Sequence, residues 1–204
     1  MSELTTQVDR LVELGYPTLS GRSEADFRDV LAPLGPVAEA LPSPGTGVPF
    51  VVVVTRALVD PTDTVPLLHL EGSRKPGVVD RNHAPGDLAT YHPLDLLAVP
   101  PAPAYLLVDV ERGEEFCGVR PEEALPVITG RGRTPLTIEE GIALLTHAPH
   151  LLEKNRCFML SGSRRGDRRV PALWISAGAP KLGWCWDGNP HSWLGVASAG
   201  SRLA

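Results

Sequence analysis

The segment WCWDGNPHSWLG near the C-terminus concentrates side chains that can support covalent chemistry. Cys185, Asp187, Asn189 and His191 lie within seven residues of one another. A thiol becomes a nucleophile when a nearby base or positive charge favours the thiolate, and His191 is the base that this segment supplies. Two interpretations are open. Either these residues form a catalytic group, or Cys185 is an inert cysteine packed between tryptophans and Asp187 and Asn189 belong to a turn.

The segment GSRRGDRR is suited to binding an anion through its four arginines, Arg164, Arg165, Arg168 and Arg169. Guanidinium groups beside backbone amides that glycine leaves free can hold a phosphate or a carboxylate through paired hydrogen bonds. The segment lacks the GK[ST] sequence of a phosphate-binding loop, and no predicted helix follows it. The alternative is a solvated hairpin loop whose arginines pair with carboxylates elsewhere in the chain.

A polar stretch in the middle of the chain contains the oxygen and imidazole groups that many metal ions prefer. These groups belong to Asp80, His83, Asp87 and His92. Their spacing matches no recognised metal motif, and loops are rich in such residues. We therefore predict no metal site and no cofactor.

The predicted strands bring the arginine-rich loop and the loop with His191 together. Strands are predicted at residues 157–161, 171–177 and 181–186, and the short connection Gly178-Ala179 is typical of a hairpin. In an antiparallel meander of three such strands, the loops that follow the first and the third strand leave the sheet at the same end. The sequence thus predicts that the two loops are neighbours.

The same hairpin predicts which side chains face each other. If Ala177 pairs with Pro180, Leu173 faces Trp184 on one side of the sheet. Trp174 and Gly183 then lie together on the other side of the sheet. Because glycine has no side chain, the ring of Trp174 has room to lie flat across it.

The rest of the pattern predicts helices and further strands. Helices are predicted over residues 3–14 and from Ser23 to about residue 34, where Gly35-Pro36 intervenes. The apolar, partly β-branched runs at 50–55, 65–70 and 105–110 predict strands, with a short strand at 78–79. Two central helices follow, one with Pro121 at its first position and one with a capping box formed by Thr137 and Glu140.

Together these elements predict an α+β fold: one domain over residues 1–204, with a mostly antiparallel sheet. The helical N-terminal segment covers residues 1–41, the body covers 49–154, and a Trp- and Arg-rich meander covers 155–204. Residues 42–48 are predicted to be a flexible break between the first two parts.

Charge is distributed unevenly along the chain. The 19 basic and 24 acidic side chains give a net charge of −5, but residues 155–204 hold seven basic and only two acidic residues. The mean charge therefore conceals a body of −10 and a tail of +5. The tail also holds all four tryptophans. Such asymmetry indicates a surface for a partner or ligand, although the tryptophans alone would also suit the core of a small sheet.

Composition excludes several classes of protein. No stretch approaches the roughly 20 apolar residues that span a bilayer, and the sequence MSELTTQVDR lacks the pattern of a signal peptide. Three cysteines, an odd number, favour reduced thiols in a cytoplasm. An isoelectric point of about 5.7, with no known recognition motif, argues against nucleic acid as a partner. We expect a cytoplasmic protein that binds neither membrane nor nucleic acid.

Several stretches, read together, resemble a known family. They are LGYPTLSG, VPFVVVVTRALV, TPLTIEEGIALLTH, GDRRVPALWIS and LGWCWDGNPHSWLG. The sequence is similar over nearly its whole length to a family of proteins of unknown function from actinobacteria such as streptomycetes. The resemblance implies a single domain in a bacterial cytoplasm. It carries over no catalytic residue, because the family has no assigned activity.

Three functions are compatible with these residues. The first is binding of a small anionic or aromatic metabolite at the end of the meander. In that case the four arginines hold the anion, and the pocket is lined by Trp186, Asn189, His191 and Trp193.

The second function is an enzyme at the same site, and the third is an interaction module. The enzyme would use His191 as general base and Cys185 or Ser163 as nucleophile, with Asp187 beside them. The interaction module would dock the basic tail onto an acidic partner or onto a second copy of the chain, and such assembly weakens with salt.

Overall fold

The structure, a computed structural model, describes residues 2–41 and 48–204. Over these two ranges the chain forms seven α-helices and twelve β-strands, which confirms the predicted α+β class. Residues 42–47, which make up most of the predicted break at 42–48, lie outside the described part.

Helices precede the sheets and are also inserted between strands. In chain order they are α1 (Glu3–Glu13), α2 (Tyr16–Leu19), α3 (Glu24–Leu31), α4 (Leu34–Glu39), α5 (Pro61–Thr64), α6 (Pro121–Gly130) and α7 (Ile138–His147).

Most of the strands are short. In chain order they are β1 (Val48–Val54), β2 (Val78–Val79), β3 (His92–Pro93), β4 (Ala104–Val110), β5 (Thr134–Pro135), β6 (Cys157–Met159), β7 (Ser163–Arg164), β8 (Arg169–Ser176), β9 (Ala179–Trp186), β10 (Leu194–Val196), β11 (Ser198–Ala199) and β12 (Ser201–Leu203).

Two of the sheets carry the core. One has the order β1-β4-β12, all antiparallel, and the other has the order β10-β6-β8-β9-β2. In the second sheet β8 lies between β6 and β9 and is antiparallel to both, so the predicted meander is confirmed. The two outer strands, β10 and β2, run parallel to their neighbours.

The strand β1, which the apolar run at 50–55 predicts, is buried on both faces. Val51 and Val53 belong to the main core, and Phe50 and Val52 pack on the opposite face against the N-terminal helices. Every second side chain of a strand points the same way, so an uninterrupted apolar run is what a strand covered on both faces requires.

Side chains protect the free edge of β1. The amide of Gln7 donates to the carbonyl of Phe50 at 3.0 Å and accepts the amide of Val52 at 2.8 Å. The ring of His147 bonds the carbonyl of Val52 through Nε2 at 3.2 Å. A glutamine on α1 and a histidine at the end of α7 thus replace part of a missing strand.

Two local predictions are wrong, and prolines explain both. Residues 65–70 do not form a strand: Asp60 caps α5, and a short 3₁₀ turn follows over Val65–Leu67. Gly35-Pro36 does not separate helices, because α3 ends earlier and both residues lie in the first turn of α4. The amides of a first helical turn need no partner inside the helix, so proline is tolerated there.

The register of the hairpin between β8 and β9 also differs from the prediction. Leu173 faces Leu182 rather than Trp184, and the two turn residues are Ala177 and Gly178. Both have a positive φ, 53° and 76°, as the favoured two-residue hairpin turn demands. Because the shift is two residues, each side chain keeps the face that the sequence predicts for it.

No helix in the described ranges is long and apolar enough to cross a membrane.

Candidate functional site

The loop after β7 and the loop after β9 are neighbours, as the meander predicts. The amide of Asp187 donates to the carbonyl of Arg168 at 2.8 Å, and Nη2 of Arg164 lies 3.2 Å from the carboxylate of Asp187. The side chain of Arg164 is only 14% exposed, and burial lowers the pKa of its guanidinium. Asp187 therefore serves as the partner of a buried cation.

The other three arginines of this loop also have carboxylate partners. Arg165 and Arg169 share Asp87, with Nη1 distances of 2.8 and 3.8 Å, and Arg168 lies 2.6 Å from Glu122. The four arginines of this loop are therefore paired with carboxylates of the same chain, as the second interpretation of the sequence has it.

Every positive charge of the tail, residues 155–204, is paired with a carboxylate of the same chain. Each of its seven basic residues lies within 4 Å of a carboxylate, and for six of them that carboxylate belongs to the acidic body. These six pairs are Arg156–Glu114, Arg165–Asp87, Arg168–Glu122, Arg169–Asp87, Lys181–Asp80 and Arg202–Glu140. The positive tail is therefore matched to the negative body of the same molecule.

All four tryptophans line one cavity at the end of β9, which we call the tryptophan cavity. Its volume is about 290 Å³. The lining consists of Asn82, Trp174, Trp184, Cys185, Trp186, Asn189, His191, Trp193 and Leu194. Of the residues proposed from the sequence, this cavity unites His191, Cys185, Trp186, Asn189 and Trp193.

The aromatic rings of the cavity meet edge to face. Trp184 and Trp186 have ring centroids 4.9 Å apart at 69°, and Trp174 and Trp193 are 6.4 Å apart at 81°. The ring of His191 lies 5.5 Å from Trp193. Such tilted pairs are favourable because a positive ring edge meets a negative ring face. They also give the cavity aromatic walls in more than one direction.

Arg169 holds the outer pair of tryptophans in place. Its guanidinium carbon lies 4.6 Å from the ring centroid of Trp184 and 6.0 Å from that of Trp186. A cation over an aromatic face is attracted by the electron density of the ring. Arg169 thus supports the cavity wall from outside, although it does not line the cavity.

The cavity offers hydrogen-bond donors. Nε1 of Trp184 donates to the carbonyl of Asn82 at 3.2 Å. The indole N–H groups of Trp174, Trp186 and Trp193 have no acceptor within the described part of the chain, and they are not sealed from solvent. These three N–H groups are therefore available to an acceptor that reaches them.

The side chain of Cys185 lacks the surroundings of a catalytic thiol. Burial raises the pKa of its thiol to about 12, and no hydrogen bond to His191 lowers it. Nε2 of His191 is itself buried without a hydrogen-bond partner in the described residues. The two side chains share a cavity but do not form a nucleophile and base pair.

Ser163 lies outside the tryptophan cavity. It is fully buried in β7, and its hydroxyl accepts the amide of Ile138 at 3.0 Å at the start of α7. This bond satisfies a helix amide that has no partner inside the helix. Asp187 and the four arginines also lie outside the lining, where they hold the loops that border it.

The sequence analysis did not assign four of the lining residues to the site: Asn82, Trp174, Trp184 and Leu194. Trp174 on β8 and Trp184 on β9 point to opposite faces of the sheet, yet both line the cavity. At this edge β2 pairs only with Lys181 and Leu182 of β9. The uncovered end of β9 lets the cavity wrap around the sheet edge. Asn82 comes from a distant loop, and no local signal in the sequence points to it.

Three of the four polar residues of the middle stretch are engaged in ion pairs or packing, and the fourth, His92, is exposed in β3. Asp80 lies 3.2 Å from Nζ of Lys181, Asp87 pairs with Arg165, and the ring of His83 packs against Tyr91 at 5.7 Å. Across residues 2–41 and 48–204, no three side chains of the His, Cys, Asp and Glu types are grouped as metal ligands.

Gly183 makes room for Trp174, as the sequence predicts. A Cβ atom at this position would lie 2.1 Å from the Cη2 atom of Trp174. Gly183→Ala is expected to displace the indole and to lower the free energy of unfolding by about 1–3 kcal/mol, the usual cost of overpacking. Urea denaturation measures this change, and tryptophan fluorescence reports the displaced ring.

Gly35→Ala in α4 is the matched control for Gly183→Ala. A Cβ atom there meets nothing within 4 Å, so the substitution is expected to be neutral or slightly stabilising. An unchanged fluorescence spectrum and stability for Gly183→Ala would contradict the position of Trp174.

Comparison with known proteins supports the resemblance to a family. The model of a family of unknown function matches residues 10–204. No curated protein and no solved structure matches the chain.

Proposed function

The chain belongs to DUF5701, a family of unknown function, and we propose that it binds a small aromatic molecule in the tryptophan cavity. One observation carries the proposal: all four tryptophans of the chain line a single cavity of about 290 Å³. Ligand sites are concave and mostly apolar, with a few polar groups that fix orientation, and this volume suits a ligand of one or two rings.

The surroundings of the cavity favour an aromatic ligand over an anionic one. The arginines that would hold an anion already pair with Asp87, Asp187 and Glu122. An anion would have to displace these carboxylates, whereas a flat ring needs only the tryptophan faces and the free indole N–H groups.

Nucleophilic catalysis and self-association have less support. The raised pKa of Cys185 and the buried hydroxyl of Ser163 leave His191 without a partner to activate. The basic tail that would dock onto a second copy is already paired with the body of its own chain. Both functions stay proposals of lower rank.

We further propose that the protein acts in the cytoplasm of an actinobacterium. The three cysteines Cys117, Cys157 and Cys185 are free thiols, which suits a reducing compartment. The bacterial origin rests on the resemblance of the sequence alone.

Intrinsic fluorescence tests the proposed function, because every tryptophan reports from the cavity. We expect benzamide, adenine or nicotinamide to quench the fluorescence saturably. Trp186→Ala removes a side chain that is 46% exposed, and it should weaken binding about tenfold, since an aromatic contact contributes on the order of 1–2 kcal/mol.

Leu96→Ala is the matched control, because Leu96 is 61% exposed and lies outside this cavity. It should leave the affinity unchanged. The proposal fails if none of the three aromatic compounds binds, or if only phosphate and carboxylate compounds bind and Arg169→Ala abolishes their binding.

A further inference from the structure

Two asparagines at the tryptophan cavity have side-chain amides that are open to solvent. Asn82 and Asn189 both line the cavity, and both are exposed. Backbone hydrogen bonds tie them to the tryptophans: the carbonyl of Asn82 accepts Nε1 of Trp184 at 3.2 Å, and the amide of Asn189 donates to the carbonyl of Trp186 at 3.0 Å. The backbone therefore holds both residues at the cavity and leaves their side-chain amides for a ligand.

An asparagine side chain suits the edge of a nucleobase. Its amide presents an acceptor and a donor side by side, and the N6–H and N7 groups of adenine present the complementary pair. The faces of a base stack on aromatic side chains, while its edges form hydrogen bonds. Tryptophan walls and free asparagine amides are therefore the two kinds of group that bind a base.

The charge of the lining favours a base without a phosphate. Apart from the imidazole of His191, none of the described residues that line the cavity has an ionisable group that is charged at neutral pH. The arginines next to the cavity are paired, Arg164 with Asp187 at 3.2 Å and Arg169 with Asp87 at 3.8 Å. A phosphate would have to compete with these carboxylates, so a free base or a nucleoside fits better than a nucleotide.

The accessible donors of the cavity disfavour a ring without acceptors. The indole N–H groups of Trp174 and Trp193 are reached by solvent, as are the side-chain amides of Asn82 and Asn189. A ligand that fills the cavity removes water from these groups. A hydrocarbon ring leaves them unpaired, which is unfavourable, whereas the ring nitrogens of a base replace the lost hydrogen bonds.

We propose that the ligand of the tryptophan cavity is a nucleobase, bound as the free base or as a nucleoside. The base stacks on the exposed ring of Trp186, and its polar edge pairs with the side-chain amides of Asn82 and Asn189. This inference rests on the proposed function and names the class of ligand for the same site.

Titration of ¹⁵N-labelled protein tests the inference by NMR, with the four indole N–H signals as the measure of binding. We expect adenine and adenosine to shift these signals saturably and with similar affinity. Quinoline is a flat molecule of two rings with one acceptor and no donor, so it should bind at least about tenfold more weakly. Adenosine monophosphate should bind no more tightly than adenosine.

A double variant tests the role of the asparagines. Asn82→Leu combined with Asn189→Leu removes both side-chain amides with little change in size and keeps the backbone bonds. It should weaken the binding of adenine at least about tenfold and leave the affinity for quinoline unchanged. Asp95→Leu is the control, because Asp95 is exposed and lies outside the lining, and it should change neither affinity.

Three results would overturn the inference and leave the proposed function standing. They are equal affinity for quinoline and adenine, wild-type affinity for adenine in the double variant, and tighter binding of adenosine monophosphate than of adenosine. If adenine and adenosine shift no indole signal, the inference also fails. Benzamide and nicotinamide then decide whether the proposed function fails with it.

Discussion

Glu140→Ala is expected to lower the free energy of unfolding by about 3–5 kcal/mol, the usual cost of leaving a buried charge without its partner. Glu140 is fully buried in α7, and the side chain of Arg202 on β12 is only 4% exposed. Small domains are stable by about 5–15 kcal/mol, so this one change would remove a large part of the total.

Glu140 joins three parts of the fold through four hydrogen bonds. Its carboxylate accepts the hydroxyl of Tyr105 at 2.6 Å, the amide of Thr137 at 2.7 Å, and two bonds from the guanidinium of Arg202. Alanine would leave the hydroxyl of Tyr105, the amide of Thr137 and Nε of Arg202 without an acceptor, whereas Nη2 of Arg202 would keep its bond to the carbonyl of Pro135. The carboxylate also raises the pKa of Tyr105, although burial is the larger cause.

Urea denaturation at neutral pH measures the effect, and Glu123→Ala is its control. Glu123 forms an exposed pair with Arg120 at 3.8 Å, so its removal should cost less than about 1 kcal/mol. A loss for Glu140→Ala no larger than this would contradict the buried network.

A combined variant separates the cost of a broken pair from the value of the intact pair. Replacing Glu140 by leucine, Arg202 by methionine and Tyr105 by phenylalanine removes the charges and the hydroxyl together. A buried ion pair exchanged for apolar groups of similar volume is often neutral, so this triple variant should be more stable than Glu140→Ala alone. If Glu140→Ala does not fold, the triple variant still carries the test.

The same glutamate illustrates what a sequence can and cannot predict. The capping box of Thr137 and Glu140 spans three residues, so its local pattern predicts the start of α7, and the structure has both of its hydrogen bonds. The bond to Arg202 spans 62 residues and depends on the pairing of β12 with β4. No local pattern reports that pairing.

The tryptophan cavity combines a predictable part with an unpredictable one. The meander and the neighbouring loops follow from consecutive strands, which local propensity and turn signals predict. The hairpin register does not, because its turn uses Ala177 at a positive φ, a conformation that favours glycine and disfavours alanine. The contribution of Asn82 depends on how a long loop crosses the sheet edge, and this is a tertiary feature.

Acid is expected to destabilise the protein through His147, by about 1.4 kcal/mol for each pH unit below the ordinary histidine pKa of about 6.5. Burial and the charge of Arg10 lower the pKa of His147 to about 3 in the folded protein. Between these two values the unfolded chain binds a proton that the folded chain rejects. The free energy of unfolding that neutral His147 contributes is therefore fully present above pH 6.5 and is lost as the pH falls toward 3. The loss is about 2 kcal/mol at pH 5.

The hydrogen bonds of His147 give the physical reason for this sensitivity. Nε2 bonds the carbonyl of Val52 at the edge of β1, so the neutral ring carries its proton there. Nδ1 is buried with no partner among the residues that the structure describes, so a second proton would have no acceptor.

Denaturation midpoints of the wild type and of His147→Gln between pH 7.5 and 4 test the prediction. The difference in stability between the two should shrink as the pH falls, whereas His150→Gln, at an exposed position, should follow the wild type. Parallel pH profiles for the wild type and His147→Gln would show that His147 is not the group responsible.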